Sequence, residues 1–68
     1  METKSGIIKA IIFKRNFGFI QLEDGSNIFF HRAGLLKPEF GKLREGMPVE
    51  FLVTESPKGP RAIGVVAV

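Results

Sequence analysis

The chain has 68 residues, which is enough for one domain with a thin hydrophobic core. It contains no cysteine and one histidine, so disulfides, cysteine-based metal sites and zinc sites are not expected. The formal net charge of +3 is compatible with an anionic partner, although ordinary solubility produces a similar charge. We therefore expect one domain over residues 1–68, with residues 1–4 frayed, and neither a metal nor a cofactor.

Hydropathy gives no sign of secretion or of membrane insertion. The sequence shows neither a basic segment followed by an apolar leader nor an apolar run long enough to span a membrane. We expect a soluble, cytoplasmic protein without a membrane partner.

Turn residues divide the first half of the chain into short β-branched and aromatic runs, a pattern typical of small all-β barrels and sandwiches. The isoleucine-rich run at residues 7–14 predicts the first strand, and residues 15–22 predict the second. Asp24 and Gly25 predict a hairpin that leads into a third strand at residues 28–31.

The second half of the chain contains a long connection followed by two more strands. Val49, Phe51 and Val53 alternate with polar residues, which predicts a fourth strand. A turn at residues 57–60 precedes a fifth strand at residues 62–68. Since no capped, periodic stretch predicts a helix, the expected fold is all-β, a five-stranded antiparallel barrel.

The pleat of two neighbouring strands decides which aromatic side chains face solvent. In the register that buries the β-branched residues, the barrel interior contains Ile20, Ile28 and Phe30. The outer face then carries Phe17, Phe19, Phe29 and His31. The opposite register would expose the isoleucines and bury the histidine, so we prefer the first.

Rings on one outer face, with basic side chains around them, are suited to binding single strands without sequence preference. Stacking contributes roughly 1–3 kcal/mol per base, and lysine and arginine neutralise the phosphates. The basic candidates are Lys9, Arg15, Arg32 and Lys58. Each phenylalanine pair, taken alone, is equally well explained as half of a core face. Either register nevertheless leaves large apolar groups on the surface, and such a patch generally marks a binding site.

Six segments in a fixed order add a family resemblance to this interpretation. They are Ser5-Gly6-Ile7-Ile8-Lys9, Asn16-Phe17-Gly18-Phe19-Ile20, Asp24-Gly25, Ile28-Phe29-Phe30-His31, Glu45-Gly46-Met47-Pro48-Val49-Glu50-Phe51 and Lys58-Gly59-Pro60-Arg61-Ala62. Their set and order resemble bacterial cold-shock domains over residues 5–65, with residues 15–20 and 28–31 similar to the two ribonucleoprotein motifs. The resemblance implies an oligonucleotide-binding (OB) barrel that binds single-stranded RNA or DNA, with RNA chaperone activity as its use.

The resemblance also implies roles for individual residues. The positions that match stacking residues are Phe17, Phe19, Phe29 and His31. The positions that match basic contacts are Lys9, Arg15 and Lys58. Asp24 matches a position that can hydrogen-bond a base, and the remaining candidates for nucleic-acid contact are Ile11, Phe13 and Arg61.

The chain departs from the family pattern at several of these places. Ala10 and Ile11 stand where the family has tryptophan and phenylalanine, Arg32 replaces another aromatic residue, and Gly64 replaces an asparagine. The guanidinium of Arg32 can stack on a base as well as contact phosphate. For Phe13 we prefer a position over the barrel end to one at the edge of the stacking surface. We expect weaker binding with a larger electrostatic share than in a fully aromatic relative.

Catalysis is not expected, and a different binding role remains open. No serine, aspartate or second base is spaced to partner His31, and the glycines do not form a phosphate-binding loop before a helix. The alternative function is a protein-interaction OB module, in which Ala10 and Ile11 reflect the loss of most nucleic-acid affinity. We expect the domain to be a monomer.

Overall fold

The computed structural model describes residues 3–68. The strands within that range are β1 (Lys4–Ile12), β2 (Phe17–Gln21), β3 (Asn27–His31), β4 (Leu35–Lys37), β5 (Pro48–Ser56) and β6 (Gly59–Ala67). Single turns of 3-10 helix lie at Phe13–Arg15, Arg32–Gly34 and Phe40–Lys42. In this described part of the chain, no helix is long and apolar enough to cross a membrane.

The five longer strands close into a barrel, which confirms the predicted fold class. β1 pairs antiparallel with β2 and with β5, β2 pairs antiparallel with β3, and β5 pairs antiparallel with β6. The contact that closes the barrel, between β3 and β6, is parallel. A closed ring with an odd number of strands cannot alternate direction throughout, so one parallel pairing is required. The three-residue β4, which was not predicted, adds to the other edge of β6 in parallel.

The ends of the strands differ from the sequence-based prediction. Lys4, expected in a frayed end, is the first residue of β1 and pairs with Phe51. Residues 1 and 2 lie outside the described residues. β1 ends at Ile12 because the chain turns through Phe13–Arg15, and Asn16 closes this turn with a left-handed backbone (φ 61°), which asparagine tolerates well.

The core contains the residues that the preferred register assigns to it. Ile20 and Phe30 are fully buried and Ile28 is 5% exposed, which confirms the predicted inward face of β2 and β3. The other buried hydrophobic residues are Ile8, Phe40, Leu43, Val49, Phe51, Ala62 and Val65. The outward-facing residues of the same two strands, Phe17, Phe19, Phe29 and His31, are half-buried. Buried and half-buried residues therefore alternate along β2 and β3, as the sequence pattern predicts.

Gly18 lies between the two phenylalanines of β2 and lets the core close beneath them. A Cβ at this position would lie 2.5 Å from the Ala10 carbonyl oxygen and 2.8 Å from Cε1 of Phe30. Neither neighbour can yield easily, since one is strand backbone and the other is a packed ring.

We therefore expect Gly18→Ala to lower the free energy of unfolding by about 1–3 kcal/mol through overpacking. Chemical denaturation followed by circular dichroism measures this loss. Gly41→Ala is the matched control, because a Cβ there meets no atom within 4 Å and the backbone is not left-handed. An equal effect of both substitutions would contradict the packing role assigned to Gly18.

Candidate nucleic-acid interface

Three phenylalanine rings form one contiguous cluster on the outside of β2 and β3. The ring centres of Phe17 and Phe29 are 5.3 Å apart, those of Phe17 and Phe19 are 5.9 Å apart, and those of Phe19 and Phe29 are 6.1 Å apart. His31 is the cross-strand partner of Phe17 and shares its face. We call these four residues the aromatic face. The structure thus brings together all four predicted stacking residues.

A local hydrogen bond fixes the orientation of the His31 ring. Its Nδ1 accepts a hydrogen bond of 3.0 Å from the backbone N–H of Ala33 and thereby caps the 3-10 turn Arg32–Gly34. With Nδ1 occupied as an acceptor, the neutral ring carries its proton on Nε2. The ring can therefore stack and can also donate one hydrogen bond to a ligand.

The aromatic face forms one wall of an open groove of about 680 Å³. The opposite wall comes from the β5–β6 hairpin, in which Ser56 pairs with Gly59 and only Pro57 and Lys58 form the turn. Gly59 has a positive φ of 113°, and the Ser56 hydroxyl donates a 2.5 Å hydrogen bond to its carbonyl oxygen. This tight turn holds the predicted basic residue Lys58 in the groove lining.

The same wall contains residues that the sequence reasoning did not select, namely Ser56, Pro57 and Pro60. Their adjacency to Lys58 in a short turn was the available signal. Arg61, a further candidate in the sequence, also lines the groove. It pairs with Phe29 across the β3–β6 contact, and its guanidinium carbon lies 6.0 Å from the Phe29 ring centre. This distance is within the range of a cation–π interaction.

An irregularity in β1 changes which of its residues lie beside the aromatic face. The register with β2 shifts between Ile8 and Ala10, so that Lys9 occupies a bulge. Ala10 is then opposite Phe19 and lies on the outer side. The predicted candidate Ile11 is opposite Gly18 and packs against the core.

Ile11 therefore points toward the core and is partly exposed, and Ile12, which pairs with Phe17, takes the outer position beside the aromatic face. Ile11 is a candidate because of its position in the family pattern, and the extra residue in β1 reverses the side on which the later residues of that strand point. Ala10 and Ile12 extend the aromatic face with aliphatic groups that offer no ring for stacking. Lys9 is exposed at this edge, as expected.

Arg15 and Arg32 lie beyond the Phe17–His31 end of the aromatic face. Arg15 ends one 3-10 turn and Arg32 begins the next, and the backbone N–H of Arg32 donates to the Asn16 carbonyl oxygen at 2.7 Å. Both side chains are exposed, and neither lines the groove. They add positive charge beyond that end of the aromatic face.

Phe13 and Asp24 lie outside this groove. Phe13 lies in the turn between β1 and β2, at the barrel end, and its ring centre is 5.5 Å from that of the buried Phe40. Asp24 lies in the β2–β3 turn and borders a separate, smaller depression with Lys4 and Ser5. Its carboxylate accepts hydrogen bonds from the Ser26 hydroxyl and backbone N–H, which lower the pKa of Asp24.

Within residues 3–68, no group of three or more His, Cys, Asp and Glu side chains is arranged to hold a metal ion. The small closed β-barrel, with an aromatic groove bordered by basic side chains, places this domain in the class of OB-type barrels. The family model described as 'Cold-shock' DNA-binding domain matches residues 4–68, and the chain belongs to this family. Membership supports nucleic-acid binding in general as its function.

Similar proteins agree with this assignment along the whole chain. Cold shock-like protein CspJ of Salmonella typhimurium is 44% identical over 69 residues, covering 98% of this chain and 99% of that protein. Cold shock-like protein CspC of Bacillus cereus is 36% identical over 61 residues, covering 90% of this chain and 94% of that protein. The structure of drosophila Unr CSD456 has a TM-score of 0.81 at 24% identity. It covers 98% of this chain and 27% of the longer one, and it shows a shared fold.

Proposed function

We propose that this domain binds single-stranded RNA or DNA by stacking bases on the aromatic face while basic side chains contact the phosphates. It does so in the cytoplasm as a monomer, without catalysis, and its biological use is the remodelling of weak RNA structure. The observation that carries the proposal is the contact of Phe17, Phe19 and Phe29 on one outer face, within a groove that Lys58 and Arg61 also line.

The rings and the basic side chains bind different parts of a nucleic acid: the rings stack on bases, and the basic groups contact phosphates. Each base can stack on a ring whatever its identity, because every base has a π-face. The basic residues lie on three sides of the rings: Lys9 on the β1 side, Arg15 and Arg32 at one end, and Lys58 with Arg61 on the hairpin side. A backbone crossing the rings in either direction therefore meets positive charge.

The aliphatic residues beside the rings limit this stacking. Ala10 and Ile12 occupy outer positions next to Phe19 and Phe17, so bases that pass beyond β2 find apolar contact without a ring. Electrostatic contacts should then carry a larger share of the affinity, and salt should weaken binding steeply.

The test is a fluorescence anisotropy titration of a labelled oligothymidine between about 50 and 200 mM salt. For single strands the slope of log K against log salt is about −0.7 per phosphate neutralised. We expect binding by the parent protein and a slope for Lys58→Ala that is shallower by about 0.7. Lys42→Ala is the control, because Lys42 is exposed in the 3-10 turn Phe40–Lys42 and outside the groove lining.

An unchanged slope for Lys58→Ala would remove Lys58 from the interface. Absence of oligothymidine binding by the folded parent would contradict the proposal as a whole. The aliphatic groups at Ala10 and Ile12 would then favour the alternative function, a protein-interaction barrel that uses the same face for a polypeptide.

A further inference from the structure

Arg61 is a basic residue of the groove that lies directly beside the aromatic face. The barrel-closing contact pairs it directly with Phe29, and the guanidinium carbon lies 6.0 Å from the ring centre. Its Nε is buried and has no hydrogen-bond partner among residues 3–68. A ligand cannot reach this buried atom, so any hydrogen bond from Arg61 to a bound base comes from the terminal amino groups of the guanidinium.

We propose that Arg61 makes the groove discriminate between bases, with guanine preferred over adenine for the base that stacks on Phe29. The inference rests on the proposed function, since it assigns a preference to the same groove. It differs from sequence-independent stacking because it requires a hydrogen bond to a base edge.

The preference follows from the chemistry of the guanidinium group. Arginine carries five N–H donors in a planar fork and has no acceptor. Guanine presents two neighbouring acceptors, N7 and O6, which match such a fork. Adenine presents N7 beside the N6 amino donor, so one arm of the fork would face another donor. The guanidinium carbon lies 6.0 Å from the Phe29 ring centre, so a base stacked on Phe29 has an edge within reach of Arg61.

Other polar groups of the groove are less suited to this selection. Lys58 lies in the two-residue turn of the hairpin, and its ammonium is a compact charge without a planar fork. His31 has one ring nitrogen committed to the Ala33 N–H, which leaves a single donor. A paired acceptor edge is therefore matched by Arg61 alone among the basic and imidazole groups that line the groove.

The test uses oligothymidines that carry one internal guanine, adenine or 7-deazaguanine. Because thymines flank the substituted position, the protein can shift along the strand until that base lies on Phe29. We expect the guanine strand to bind at least about fivefold more tightly than the adenine strand. The 7-deazaguanine strand, which lacks the N7 acceptor, should lose most of this advantage without any change to the protein.

Arg61→Lys supplies the second arm, since it keeps the charge and removes the fork. We expect its guanine and adenine strands to bind with equal affinity, so the test compares the guanine-to-adenine ratio within the variant and not its overall affinity with that of the parent. Equal binding of guanine and adenine strands by the parent, or a retained preference in Arg61→Lys, would overturn this inference alone. Failure of the parent to bind any strand would overturn the proposed function as well.

Discussion

Replacing Phe29 with alanine is expected to weaken oligothymidine binding by about five- to 150-fold, the equivalent of one lost stacking interaction. Phe29 is the most connected ring of the aromatic face, because it contacts both Phe17 and Phe19 and lies beside Arg61. Its removal takes away one stacking surface, while Phe17 and Phe19 remain in contact with each other. Anisotropy titration at constant salt measures the change in Kd.

Phe13→Ala is the matched control for this substitution. Phe13 is more exposed than the half-buried Phe29, 49% accessible, but its ring packs on Phe40 at the barrel end. We expect its Kd to stay within about twofold of the parent, since no base stacks there. Similar losses for both variants would show that general damage to the fold, and not a lost stacking surface, explains the effect.

Replacing the next residue, Phe30, with alanine should produce a different defect. Phe30 points into the barrel, is fully buried and packs near Phe40. Truncating such a ring costs about 3–5 kcal/mol, which is comparable with the whole stability of a domain this small. We expect the variant to be largely unfolded by circular dichroism, or to unfold at much lower denaturant concentration than the parent.

Phe29 and Phe30 are neighbours in β3 whose rings lie on opposite faces of the strand. Comparing their alanine variants therefore tests which ring lies in the core. Phe29→Ala should lose far less stability than Phe30→Ala, because the Phe29 ring is half-exposed in the folded protein. A greater loss of stability for Phe29→Ala would contradict the register of β3.

The faces of β2 and β3 were predictable from sequence because alternation and residue type agreed. Ile20 and Ile28 are β-branched and apolar, so burying them fixed the opposite parity for Phe17 and Phe29. The turn at Asp24 and Gly25 set the pairing of the two strands, and Gly25 has the positive φ that glycine permits. Local chemistry was sufficient for this half of the groove.

The remainder depended on contacts that local patterns do not encode. No residue type marks the bulge at Lys9, so the inward position of Ile11 and the outward position of Ile12 could not be anticipated. The pairing of Phe29 with Arg61 joins strands far apart in the chain, and it appears only when the barrel closes. For the same reason, the sequence did not distinguish Arg61 from the other basic residues.

The most direct test of base stacking on the aromatic face is a nuclear magnetic resonance titration of the phenylalanine rings with oligothymidine. The account predicts large shifts of the ring protons of Phe17, Phe19 and Phe29, with small changes for Phe13 and the buried Phe51. Shifts centred on Phe13 and the barrel end, with the three clustered rings unchanged at saturation, would contradict it.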